Sequence, residues 1–126
     1  MKTIWIVDDD EDMLRAVELM VHLLEFETRK FYLARPAAQE ILNGRQPDLF
    51  ILDINMPEVS GIDLLEFIRQ RKNTKDIPVV MLTTEAADVM VDKAMALGAD
   101  AYVTKPVAIE ELENAIKKAV QARNPK

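Results

Sequence analysis

Five short apolar runs, at residues 3–7, 28–33, 49–52, 78–82 and 101–103, alternate with longer segments whose apolar residues recur at helical spacing. This alternation restricts the fold more than any other feature of the chain. The runs read as continuous rather than alternating, as expected of strands covered on both faces in a parallel sheet. Met13, Leu14, Val17, Met20, Val21 and Leu24 mark one helical stripe, with Asp10 or Glu11 near its start. Ile62, Leu65 and Ile68 mark a second, and Ala87, Met90, Ala94 and Leu97 a third that stops at Gly98. Ile109, Leu112, Ile116, Ala119 and Val120 form the last, and Pro36 suits the first turn of a short helix carrying Ile41 and Leu42. Five strand-then-helix units in succession predict an α/β, doubly wound (βα)5 domain with right-handed crossovers and helices on both faces.

In such sheets a ligand site lies outside the carboxyl ends of the strands. The first run is followed by Asp8, Asp9 and Asp10, and the third by Asp53, Ile54, Asn55, Met56 and Pro57. The fourth ends in Thr83, Thr84 and Glu85, and the fifth in Thr104, Lys105 and Pro106. Carboxylates crowded at one edge disfavour one another's ionisation, and a divalent cation relieves that repulsion. An all-oxygen donor set suits Mg²⁺. A lysine beside an isolated strand-tip Asp points to phosphate chemistry, with the Asp as nucleophile and the cations holding phosphoryl oxygens. Singly, each residue has an ordinary explanation: Asp10 reads as a helix N-cap and Lys105-Pro106 as a surface turn. The coincidence of four strand ends carries the functional reading.

Composition removes the competing classes. The 126 residues suit one domain, and 49% hydrophobic against 30% charged residues is enough to build a core. With no cysteine, disulfide scaffolds, thiolate metal sites and cysteine nucleophiles are excluded. A net charge of −6 argues against direct nucleic-acid binding, which needs a basic face. The first apolar run is cut off by the acids of residues 8–12, too early for a signal peptide or membrane insertion. The expectation is a soluble, intracellular protein.

VDDD at 7–10, LDINMPEVSG at 52–61, MLTTEA at 81–86 and AYVTKP at 101–106 resemble, in order and spacing, the signature blocks of receiver domains of two-component response regulators. The resemblance spans essentially the whole chain and is nearest in general form to stand-alone chemotaxis-type receivers. It implies a flavodoxin-like fold with a five-stranded parallel sheet of order 2-1-3-4-5. It further implies a single cytoplasmic receiver domain over residues 1–126, with no output domain in this chain. Such a domain mediates its own phosphorylation and dephosphorylation and is not a turnover enzyme.

Roles follow from the resemblance residue by residue. Asp53 would accept a phosphoryl group from the phosphohistidine of a sensor histidine kinase or histidine phosphotransfer protein. Asp9 and Asp53 would hold Mg²⁺ through carboxylates, Asn55 through its carbonyl and Asp8 through water. Lys105 would exchange a resting contact with carboxylate for a phosphoryl oxygen, and its bond to Pro106 would be cis. Thr83 would turn onto the phosphoryl group, and Tyr102 would rotate inward in response. The readout for a downstream protein target would be the face of the fourth helix, fifth strand and fifth helix, parts of 86–97, 101–103 and 107–120.

The chain departs from the commonest receiver pattern in places. Thr84 stands where a smaller residue is usual, and its bulk would narrow access to the phosphoryl site. Asn55 and Glu85 flank the site as a polar pair, implying a short-lived phosphorylated state. Glu25 or Phe26 replaces a Gly that often ends the first helix, and Arg35-Pro36 replaces a small-Gly turn; both are expected to affect local stability only. His22, the sole histidine, reads as a solvated helix position, and Trp5 as core. Met13, Met20 and Met81 read as ordinary packing. Glu110, Glu111 and Glu113 followed by Lys117 and Lys118 read as a solvated helix face. Three other functions stand behind the receiver. One is an Asp-nucleophile phosphatase, which wants a second Asp where Asn55 lies; another is a nucleotide-binding module, for which Gly44, Gly61 and Gly98 form no phosphate loop. The third is a degenerate receiver acting only by binding.

Overall fold

A computed structural model describes residues 2–84 and 89–123. Ten elements alternate: β1 (Thr3–Val7), α1 (Glu11–Leu23), β2 (Glu27–Phe31), α2 (Ala34–Leu42), β3 (Leu49–Asp53), α3 (Gly61–Gln70), β4 (Val79–Thr83), α4 (Val89–Ala96), β5 (Ala101–Thr104) and α5 (Ile109–Arg123). All pairings are parallel, and the sheet order is β2-β1-β3-β4-β5. The expected doubly wound topology is therefore the observed one.

Side-chain parity divides the core in two. Trp5, Val7, Phe50, Leu52, Val79 and Met81 face α2, α3 and α4, where they meet Ile41, Leu65, Ile68 and Val91. Their sequence neighbours Ile4, Ile6, Leu49, Ile51, Val80 and Leu82 face α1 and α5, against Leu14, Val17, Val21, Leu112 and Ile116. Strands with both parities buried need unbroken apolar runs, which residues 4–7, 49–52 and 79–82 supply. Trp5 lies within this core, edge-on to Phe50 with ring centroids 5.8 Å apart.

The outer strands differ from expectation. β2 spans Glu27–Phe31 rather than 28–33, and Phe31 is its only fully buried residue. As a sheet edge it is not sandwiched, and it is held by charges instead. Lys30 pairs with Glu18 of α1 at 3.0 Å, and Arg29 pairs with Glu40 of α2 while covering Trp5 and Phe31. Charged residues also blunt an exposed edge against foreign strands. β5, the other edge, alternates: Ala101 and Val103 are buried and Tyr102 is exposed. On α2, Ala34, Ala37 and Ile41 form the inward face and Leu42 is 53% exposed.

Local signals behave as their chemistry requires. Asp10 caps α1, accepting the amides of Asp12 and Met13 at 3.0 and 3.2 Å. Pro36 lies in the first turn of α2. His22 is exposed, with Nε2 3.0 Å from Thr28 Oγ1, and Glu113 pairs with Lys117 one turn on at 3.7 Å. α1 ends in a reverse turn in which the Phe26 amide donates to Val21 and the Glu25 amide to His22. Glu25 is the left-handed residue, with φ 71°.

A left-handed non-glycine costs about 1 kcal/mol, part of which glycine returns through its freer unfolded chain. Glu25→Gly is therefore expected to raise stability by about 0.5 kcal/mol, read as a higher urea midpoint at unchanged slope. An equal or lower midpoint would contradict this account of the turn.

Candidate functional site

The carboxyl ends of β1, β3, β4 and β5 lie side by side, as the registers Val7↔Leu52, Asp53↔Leu82 and Thr83↔Thr104 require. Asp8 is completely buried, Asp53 is 4% exposed and Asp9 is exposed. One carboxylate oxygen from each lies within 4.8 Å of the others. Lys105 reaches the pair of buried acids from β5, with Nζ 3.1 Å from Asp8 Oδ2 and 3.3 Å from Asp53 Oδ1. The Lys105–Pro106 peptide bond is cis.

Two buried carboxylates thus share one ammonium, with the exposed Asp9 beside them. Burial and the charge of Asp8 push the Asp53 carboxyl up to about 7, and Lys105 opposes that rise only in part. Lys105 itself is raised, because its two carboxylates outweigh the cost of burying its charge. Asp8 Oδ1 accepts the Asp10 amide at 2.9 Å. Its other oxygen, Oδ2, is buried with no aligned hydrogen bond, although Lys105 stands at ion-pair distance. A buried oxygen of this kind, beside two more carboxylates, is a donor set short of positive charge.

The remaining candidates surround this cluster. Thr83 is 1% exposed at the end of β4, where its carbonyl accepts the Lys105 amide at 2.7 Å. Thr84 and Asn55 are exposed at the rim. Tyr102 is 41% exposed on β5, away from the cluster. Glu85, and residues 86–88 of the expected readout face with Ala87 of the third stripe, lie outside the described residues.

Gly61 is a site residue that the sequence reading passed over. A Cβ there would meet the Asp53 carbonyl oxygen at 1.9 Å and its carbon at 2.8 Å. The start of α3 is packed directly onto the Asp53 backbone, with the Gly61 amide donating to Ile54 at 3.0 Å. Ser60 and Asp63 cap that helix reciprocally and fix where it begins. The available signal was a glycine directly after a capping serine, eight residues beyond the strand-tip acid.

Residues 4–117 match the model of the response regulator receiver domain family. The chain is 32% identical to the phosphate regulon transcriptional regulatory protein PhoB of Pseudomonas aeruginosa, over 98% of this chain and 54% of that protein. It therefore spans about half the length of that relative. It is also 32% identical to the chemotaxis protein CheY of the same organism, over 96% of this chain and 98% of that protein. The solved structure of Vibrio cholerae chemotaxis protein CheY4 superposes with a TM-score of 0.86 at 25% identity, covering 94% of this chain and 98% of that one. No helix among the described residues is long and apolar enough to cross a membrane.

Two outcomes follow from the site. In chelator-containing buffer the folded state holds the Asp53 proton more tightly than the unfolded chain, whose carboxyl titrates near 3.8. The contribution of Asp53 to stability is therefore full below the unfolded value and is lost as pH rises from about 4 to about 7. Asp53→Asn, which has no charge to bury, is expected to be more stable than wild type by on the order of 2–4 kcal/mol at pH 8 and by much less at pH 4.5. Urea titrations at the two pH values measure this, and a pH-independent difference would sink it. Gly61→Ala is expected to lose about 3 kcal/mol, since the clash is with backbone and no rotamer relieves it; a midpoint near wild type would refute the close packing.

Proposed function

The chain belongs to the response regulator receiver family of two-component signalling, and from that premise we propose that Asp53 is its phosphoacceptor. The observation that supports this most strongly is the shared ion pairing of Lys105 with Asp8 and Asp53 beside a buried Asp8 oxygen that lacks an aligned hydrogen bond. A phosphohistidine on a sensor histidine kinase or phosphotransfer protein would be the donor. The new oxygen–phosphorus bond forms at the Asp53 carboxylate as the phosphorus–nitrogen bond breaks, its electron pair leaving on the imidazole. Asp8, Asp9 and Asp53, with the Asn55 carbonyl, would hold Mg²⁺, an assignment their hard oxygen donors fit. Bound there, Mg²⁺ would neutralise the acids and offset charge on the phosphoryl oxygens.

Each of the surrounding site residues then has a definite task. Lys105 follows the charge from carboxylate to phosphoryl oxygen, because phosphorylation adds roughly −1.5 to −2 charge at that point. Thr83 donates its hydroxyl to the phosphoryl group. Tyr102, at 41% exposure, stands in an outward position from which it would turn inward when Thr83 moves. That change biases the α4–β5–α5 face towards a downstream protein. Thr84 and Asn55 at the rim, with Glu85, would set access and the lifetime of the acyl phosphate. In this proposal residues 1–126 are one cytoplasmic receiver domain, without turnover of a separate substrate.

Intact-protein mass after incubation with phosphoramidate tests the proposal. A gain of one phosphoryl group that needs Mg²⁺ and is absent in Asp53→Asn is expected. No gain in wild type together with a gain in Thr84→Ala would place the obstruction at Thr84. No gain in either would leave a receiver that acts by binding alone and would end the phosphoacceptor reading.

A further inference from the structure

At the pole of the sheet opposite Asp53, the Asp100 carboxylate gathers one backbone amide and two guanidiniums. Its Oδ2 accepts the Val79 amide at 2.9 Å and Arg69 Nη2 at 3.0 Å, and its Oδ1 accepts Arg123 Nε at 2.8 Å. The Asp100 amide returns a bond to the Val79 carbonyl at 2.9 Å. Arg69 also donates to the carbonyls of Lys75, Ile77 and Gly98, and Arg123 to that of Gly98. Gly98, with φ 110°, leaves the space these guanidiniums fill, since a Cβ there would stand 3.1 Å from Arg69 Nε. A carboxylate only 8% exposed thus ties α3, the start of β4, the α4–β5 turn and the last turn of α5 together.

We propose that Asp100, held by Arg69 and Arg123, is the register lock of β5 and thereby a positioning residue for Lys105; this rests on the reading of Lys105 as the phosphoryl-contacting group. β5 has four residues, and β4 is its one strand partner among those described. So short an edge strand has few ladder bonds with which to specify its register. A slip of one residue would turn Tyr102 into the core and carry Lys105 to the other face. The strand is pinned at both ends instead. The two Asp100–Val79 bonds fix its start, and the Lys105 amide on the Thr83 carbonyl fixes its end at 2.7 Å. Only the first pin uses a side chain, and two cations orient that side chain. Buried ion pairs contribute little net stability, and fixing register is their best-attested use.

The test combines hydrogen exchange with a mutant cycle. In Asp100→Asn the Lys105 amide is expected to exchange at least about tenfold faster, beyond any change in the amides of β1 and β3, which carry Asp8 and Asp53. Phosphorylation by phosphoramidate is expected to slow about tenfold in Asp100→Asn, with little further effect in a Lys105→Met background, because both changes act through one ammonium. Arg123→Gln, which leaves Asp100 and Arg69 in place, should show the same pattern more weakly and serves if Asp100→Asn fails to fold. Uniform acceleration of exchange across all strands, or equal slowing in both backgrounds, would reduce Asp100 to general stability and overturn the lock. If wild type accepts no phosphoryl group, the phosphoacceptor reading fails while the exchange measurement still decides the lock.

Discussion

Three carboxylates and one ammonium at the end of a parallel sheet are the constraint on which the rest of this molecule depends. Asp53 is buried beside the Asp8 charge, and both effects disfavour its ionisation. Lys105 compensates one charge and leaves the Asp53 carboxyl elevated. The cluster holds more negative than positive charge, and in the proposed function a cation and a phosphoryl group would act on that imbalance. A surface cluster of the same residues would be screened and inert.

Keeping like charges together requires a scaffold that cannot relax. The sheet supplies it through doubly buried strands, whose apolar residues pack against helices on both sides. α3 supplies a second restraint by beginning against the Asp53 backbone, where only glycine fits. Asp53 is thus confined by its strand, by Lys105 and by the start of the next helix. Local stability is spent where the chemistry needs a fixed geometry, and the polar rim of Asn55 and Thr84 is left exposed to approach.

The sequence made the central architecture legible because residues 4–7, 49–52 and 79–82 of β1, β3 and β4 are unbroken apolar runs, a pattern that strands between two helix layers share. It misled at the edges. β2, with Glu27, Thr28, Arg29 and Lys30, carries its strand through pairing with β1 and charge contacts with α1 and α2, so hydrophobicity misplaced its limits. The acids and Lys105 were legible from their positions after strands and from the family blocks. Gly61 and Asp100 were not. Their importance lies in what they touch: Gly61 meets the Asp53 backbone, which the glycine after Ser60 only hints at, and no local spacing announces the contacts of Asp100 across 21, 23 and 31 residues.

β5 also shows why so short a strand can serve two purposes. Ala101 and Val103 anchor it inward, which directs Tyr102 outward, while the chain beyond Thr104 brings Lys105 to the acids. In the proposed function, chemistry at Lys105 and recognition at Tyr102 are separated by parity on a single strand and need no longer mechanical path. Communication then demands that the strand hold its register while its end changes partners. A flexible β5 would let Lys105 follow the phosphoryl group without moving anything else, and the signal would be lost in slack. In this reading, rigidity at the Asp100 pole would convert a change of ion pair at the opposite pole into a change of surface.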